Sequence, residues 1–356
     1  MDKKKKQAIR RISQLVKETN SHRIIVAFSG GKDSTAVLHL AFEYAMANGC
    51  SLSILHGDTL VENPVIREYC DILLQKILEY NKYISTKKIQ LYISKPEPQN
   101  TFWVNLIGKG YPMPSFRFRW CQNHLKIKPS RKILKKLDGI LLVGMRMEES
   151  SERKKSMVKR MNNMELGTNG GIRIFAPLYD WTTRDVWDFL LNNPPPWGGE
   201  YTELFLLYRD ARGECPLVTE KGFRGAGCGA RFGCWVCSVV REDKTMKNLA
   251  KSDRKLQSLL DFRNWLIKFT SCKDNRLPFT RKGKPAKDGK GVLSLEARKQ
   301  MLLSLLRLQN NIKTSLIKPY EIRIIRKMWE EDIKKFKVLV GANSWTVTKS
   351  ELDTSF

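Results

Sequence analysis

Residues 23–40 read RIIVAFSGGKDSTAVLHL. The apolar run from Ile24 to Phe28 suits a strand buried on both faces. Ser29, Gly30, Gly31, Lys32, Asp33, Ser34 and Thr35 then turn the chain, and Ala36 to Ala47 continues with helix formers and an apolar face. A strand, a glycine turn and a helix N-terminus make an anion site, because the first-turn amides are free and the helix dipole favours negative charge there. The loop is not a Walker A sequence: Asp33 follows Lys32 directly, and no glycine stands in the earlier Walker position. G-x-G-x-x-G is absent as well. Gly30 and Gly31 let the backbone approach phosphates, Ser29, Ser34 and Thr35 offer hydroxyls, and Lys32 supplies a cation.

Downstream, residues 50–59 read as a second strand ending in Asp58, a carboxylate placed for magnesium or ribose. After Glu62-Asn63-Pro64 a helix runs to about Asn81, and residues 88–94 form a third strand. Residues 101–134 interleave basic residues with Phe116, Phe118 and Trp120. That pattern marks a half-buried strand with a basic outer face, or a surface that holds a phosphate backbone and stacks bases. GILLVG at 139–144 is a fourth strand running into Arg146, which is set to meet nucleotide phosphates or to pair with Glu149. Residues 171–178 start a fifth strand, and a helix over 181–191 has Thr182 or Thr183 as N-cap. The alternation predicts an α/β fold, a doubly wound parallel sheet.

The chain has 356 residues, enough for about two or three domains. Lys and Arg number 64 against 36 Asp and Glu, a net charge of +28. Such an excess predicts an extended anionic partner, nucleic acid first. No apolar run approaches the ~18 residues of a membrane span. The basic start is not followed by an apolar stretch, so it reads as a surface amphipathic helix, not a secretory signal, and the expected setting is cytoplasmic. The expected divisions are a basic helix over 1–22, a nucleotide-binding domain over 23–200, a cysteine-rich segment over 201–243, a basic helical region over 244–340 and a tail over 341–356. Within the helical region, residues 280–291 read as a mobile cationic loop able to close over nucleic acid.

Without an export signal the eight cysteines predict thiols rather than disulfides. Cys234-x-x-Cys237, with Cys228 nearby and flanking glycines, suits a tetrahedral thiolate site. A fourth ligand comes from Cys121 or from Cys215, and either zinc or an iron–sulfur cluster meets the spacing. Cys50, Cys70 and Cys272 are isolated.

Together SGGKDST, HGDT-x-x-ENP, TFWVNLIGKGYP, RFRWC, the Gly144-x-Arg146 turn, GGIRIFAPLYDWTTRDVW and RFGCWVC resemble the DndC family of DNA phosphorothioation sulfurtransferases, with its sibling SspD. Those proteins lie in the phosphoadenosine phosphosulfate reductase-like branch of the pyrophosphate-loop (adenine-nucleotide alpha-hydrolase) enzymes. The resemblance covers about residues 23–244. It implies cleavage of ATP to AMP and pyrophosphate, with Mg²⁺, and a 4Fe–4S cluster on Cys121, Cys228, Cys234 and Cys237. It further implies work on DNA beside a cysteine desulfurase and other phosphorothioation proteins, in bacterial modification and defence. The same loop also occurs in tRNA thiolases and sulfonucleotide reductases. A basic DNA-holding module without catalysis is the remaining alternative.

Overall fold

A computed structural model describes residues 2–84, 89–149, 165–212 and 232–340. A six-stranded sheet lies at the centre: β1 (Arg23–Phe28), β2 (Ser51–Gly57), β3 (Ile89–Ser94), β4 (Ile140–Leu142), β5 (Glu165–Asn169) and β6 (Ile172–Phe175), in the order β3-β2-β1-β4-β6-β5. Every neighbouring pair is parallel except β5 with β6. This is the expected α/β sheet with an antiparallel edge added. β5 escaped the sequence reading because Glu165–Asn169 is polar and half exposed, with no apolar run to mark it.

β1 shows how the sheet divides the interior. Ile24, Val26 and Phe28 face the main core, whereas Ile25 joins Leu55, Leu141 and Ile172 on the opposite face, against Leu134. That second face is covered by the short α4 (Lys128–Leu134). On the main face lie α1 (Asp2–Glu18), α2 (Lys32–Asn48) and α3 (Pro64–Tyr83). α2 is buried almost all round, as a helix packed between a sheet and other helices must be. α1 is the expected amphipathic helix, exposed on its polar face and packed on the other. Ala8, Ile12 and Leu15 are buried, and Arg11 forks onto both carboxylate oxygens of Asp180 at 2.6 and 2.8 Å. α5 (Thr183–Asn192) begins at a Thr182 capping box, and α6 (Thr202–Arg212) follows.

Residues 101–134 do not form a strand. Val104–Gly108 is a wide π-helical turn, closed by the Lys109 amide on the Val104 carbonyl at 2.9 Å, and Gln122–Ile127 is a second. The basic helices are α7 (Lys244–Leu249), α8 (Arg254–Ser271), α9 (Leu295–Ile312) and α10 (Pro319–Val340), and α8, α9 and α10 meet the first turn and the Trp103 before it. Trp103 donates to the Leu316 carbonyl at 2.8 Å, and Trp329 to that of Ile107 at 2.9 Å. Arg298 is fully buried, donating to the Gly108 carbonyl at 2.7 Å and to Asp332 at 2.8 Å. Asp332 also takes Arg281 at 2.9 Å, so the 280–291 loop is fastened to α10 at its start. Among the described residues no helix is long and apolar enough to cross a membrane.

Removing the negative charge from this buried cluster leaves Arg298 and Arg281 beside each other without their shared counter-ion. Asp332→Asn is expected to cost about 3–5 kcal/mol in urea unfolding. Replacing the pair together, as Arg298→Met with Asp332→Leu, should cost much less.

Candidate nucleotide and thiol site

The SGGKDS loop lies where β1 passes into α2, at the carboxyl edge of the sheet. Gly30 holds φ = +76°, and a Cβ there would run into the Cys70 sulfur of α3. Glycine is therefore required by conformation and by space. Several hydroxyls expected to face phosphates are engaged within the loop. Ser34 and Thr35 both donate to the Gly31 carbonyl, at 2.9 and 3.0 Å, and the Ser29 amide donates to the Ser34 hydroxyl at 3.2 Å. Lys32 is buried. Its ammonium meets the Asp33 carboxylate at 2.7 Å, and its amide donates to the Tyr208 hydroxyl of α6 at 3.2 Å.

Arg146 was expected at the phosphates or paired with Glu149. Its guanidinium, 1% exposed, lies behind the loop: Nε donates to Asp33 at 2.6 Å, Nη1 to Glu148 and the Trp181 carbonyl at 2.9 Å each, and Nη2 to Thr183 at 3.2 Å. Glu148 also accepts from the Thr183 amide at 2.6 Å. One arginine thus ties the N-terminus of α2 to that of α5. Gly144, two residues earlier, must lack a side chain because a Cβ would lie 2.7 Å from the Asp33 backbone. The loop carries two cations, Lys32 and Arg146, around one carboxylate, and helix α2 adds its positive end.

Asp58 follows β2 on the same edge. Its Oδ1 accepts from the Leu60 amide at 2.9 Å, and its Oδ2 lies 3.4 Å from Lys95 and 3.7 Å from Arg67. A carboxylate already paired with two cations makes a poor sole anchor for Mg²⁺, which would enter with the nucleotide's own phosphates.

Sequence reasoning did not foresee how the cysteine segment reaches this edge. Asn63 donates its amide to the Gly233 carbonyl and Trp235 to that of Val61, both at 3.1 Å, and Glu62 bridges Cys234. The chain after β2 and the chain carrying C-x-x-C are therefore zipped antiparallel. Cys234 Sγ comes within 3.4 Å of the Thr59 hydroxyl, next to Asp58. The Cys237 amide donates to the Cys234 carbonyl at 3.0 Å, closing the turn between the two thiols. Cys121, at the start of the second π-turn, is close enough for both thiols to raise its pKa, after burial as the main cause. Burial also pushes Cys234 up, against the nearby Lys126 and the Thr59 hydroxyl. Glu62, half-buried beside them, is pushed up to about 7, chiefly by burial.

Cys121, Cys234 and Cys237 act on one another electrostatically with Lys126 nearby, and thiols are the donor type that suits a soft metal. Among the described residues no three metal-capable side chains close on a common point. Cys228 and the competing Cys215 lie outside the described residues.

Arg263 of α8 was also missed. It is 1% exposed and holds the Cys237 carbonyl through Nε and Nη2, at 3.0 and 2.8 Å, and the Val240 carbonyl at 2.6 Å. A signal existed, because Arg263 falls on the stripe of Leu256, Leu259, Leu260 and Leu266. Tyr208, over Lys32, carried none.

Two expectations follow. Gly30→Ala should weaken nucleotide binding more than tenfold in calorimetry, and adding Cys70→Ala should restore part of it by removing the sulfur, leaving only the backbone strain of about 1 kcal/mol. Arg263→Met should raise amide exchange at residues 234–241 while residues 23–35 keep their protection.

The comparisons with known proteins agree with this geometry. The chain is similar to two uncharacterized proteins of Methanocaldococcus jannaschii, MJ0066 at 26% identity and MJ0973 at 27%, each match covering 67% of this chain. It spans 41% and 47% of their lengths, less than half of the curated relatives it matches. The model of the phosphoadenosine phosphosulfate reductase domain matches residues 23–238, from the first residue of β1 to just beyond the C-x-x-C pair, and on that match the chain belongs to the phosphoadenosine phosphosulfate reductase domain family.

Proposed function

We propose that the protein is an ATP pyrophosphatase and sulfurtransferase of DNA phosphorothioation, of the DndC kind. The observation that carries this reading is the zipper between residues 61–63 and 233–235, which brings Cys234 to the sheet edge that holds the SGGKDS loop. A nucleotide activated at the loop and a sulfur handled at the thiols would then share one edge. In this reading ATP lays its phosphates on the amides of α2, with Lys32 turning from Asp33 to meet them. Arg146 acts as a positioning residue, through Asp33. A backbone phosphate oxygen of DNA attacks the α-phosphorus, pyrophosphate leaves, and a sulfur nucleophile then displaces AMP, which carries the oxygen away. Both steps are accelerated by alignment and by cations facing developing negative charge. The net charge of +28 supports a polyanionic substrate. Cys121, Cys228, Cys234 and Cys237 would hold a 4Fe–4S cluster, with Lys126 and Arg263 opposing its charge. Such a cluster, when bound, supplies a soft site for carrying sulfur. A cysteine desulfurase is the partner this chemistry requires.

Family membership also favours a second reading, reduction of a small sulfonucleotide. Pyrophosphate release from ATP, measured with and without DNA, separates the two. Lys32→Ala is expected to lower that release at least a hundredfold while the circular dichroism spectrum stays that of the folded protein. Turnover of phosphoadenosine phosphosulfate, with no pyrophosphate from ATP, would install the second reading. For the thiols, Cys121→Ser should remove iron and acid-labile sulfide from anaerobically purified protein, and Cys272→Ser should not. If Cys215→Ser empties the site and Cys121→Ser does not, Cys215 is the fourth ligand. One zinc without sulfide would replace the cluster by a structural metal.

A further inference from the structure

Between Glu97 and Asp138 the chain contains no carboxylate and nine Lys or Arg residues. Eight of the nine, all but Lys109, are exposed. Within this stretch a tight turn projects two aromatic rings. The Ser115 amide donates to the Phe118 carbonyl at 3.2 Å, and the Phe118 amide donates back at 3.1 Å, which leaves Phe116 and Arg117 at the tip. Phe116 is 78% exposed and Phe118 46%. Arg119 stacks over the Phe116 ring at 4.6 Å, and Phe118 meets Tyr111 edge-on with ring centres 6.0 Å apart. The turn is fastened to the thiol segment, since Ser238, next to Cys237, donates to the Pro114 carbonyl at 2.6 Å. Two residues beyond Arg119 comes Cys121.

We propose that this turn is a stacking platform for an unpaired base of a nucleic-acid strand. Phe116 and Phe118 receive the base, and Arg117 and Arg119 hold the flanking phosphates. The inference rests on the reading that the substrate is a nucleic acid and adds how the strand is held at the thiol edge. Charge complementarity selects the occupant, because a stretch with eight exposed cations and no carboxylate of its own favours a polyanion. The rings narrow the choice further, as a base offers a face to stack on while an acidic peptide does not. Hydrogen bonds hold the turn in shape before binding, so little ordering is needed when a base arrives. A duplex keeps its bases in the stack, so the partner is a single strand or an extruded nucleotide.

The test uses the full chain and single-stranded oligothymidylate carrying one 2-aminopurine. Wild type should bind with steep salt dependence and quench the probe. Phe116→Ala with Phe118→Ala should weaken binding about five- to hundredfold and abolish quenching while leaving the salt slope unchanged. Phe116→Trp combined with Phe118→Ala should restore quenching. Arg117→Ala with Arg119→Ala should lower the salt slope by about 0.7 for each phosphate that is no longer neutralised. An abasic site in place of the probe should erase the difference between wild type and the phenylalanine variant. Matched deoxy and ribo strands report whether the base comes from DNA or RNA. Unchanged affinity and quenching in the phenylalanine variant would overturn the platform and leave the nucleic-acid reading standing. Failure of wild type to bind any strand or duplex would overturn both and assign the face to an acidic protein.

Discussion

The ion pair between Arg146 and Asp33 is the constraint on which the nucleotide edge depends. Asp33 sits in the first turn of α2, and Arg146 follows the end of β4. At 1% exposure the guanidinium has no water to fall back on, so each N–H that loses its partner costs the full desolvation penalty. Asp33, Glu148, the Trp181 carbonyl and Thr183 supply those partners together. Moving any of the three segments that carry them would strand the others, and the loop is held in one place by that mutual requirement. The absence of a side chain at Gly144 allows the approach.

The same device recurs where the outer elements join the sheet. Arg11, Arg263 and Arg298 each lie on the apolar stripe of a helix and each reaches a distant segment: residues 177–180, residues 237–241, and Gly108 with Asp332. Only arginine presents donors in a planar fork wide enough to hold several carbonyls at once. Arg263 contacts carbonyls where the others also find a carboxylate. Its charge, with Asp243 as the nearby carboxylate, lies beside the C-x-x-C turn, where a thiolate would form. Arg298 leaves Nε and Nη2 without a partner among the described residues, which makes Asp332 the group that keeps its burial tolerable.

Seen from the sheet edge, these struts serve one arrangement. α6 lowers Tyr208 over Lys32, Phe232 packs against Tyr208 with ring centres 5.0 Å apart, and the chain then enters the zipper that delivers Cys234 to Thr59. Nucleotide loop and thiols are parts of one continuous wall. The basic aromatic turn at residues 115–119 is fastened to that wall through Ser238.

The α/β sheet, the strand–glycine turn–helix over residues 23–48 and the Thr182 cap were legible in the sequence because each rests on short-range physics. A buried strand needs a continuous apolar run, a phosphate loop needs glycine at a left-handed φ, and a cap needs a hydroxyl three residues before its amide. Thr182, Gly30 and the run from Ile24 to Phe28 carry those signals locally. The polar edge strand Glu165–Asn169 lacked one, and the alternation of Phe116, Phe118 and Trp120 with arginines imitates a strand where the chain makes a tight turn. Tertiary structure alone decided what Arg146 faces, that Arg281 meets Asp332, that Arg11 of α1 holds Asp180, and that residues 233–235 lie on residues 61–63. The reason is physical: a charge or a backbone amide is satisfied by whatever partner the fold brings within about 3 Å, and sequence spacing carries no record of partners a hundred or more residues away.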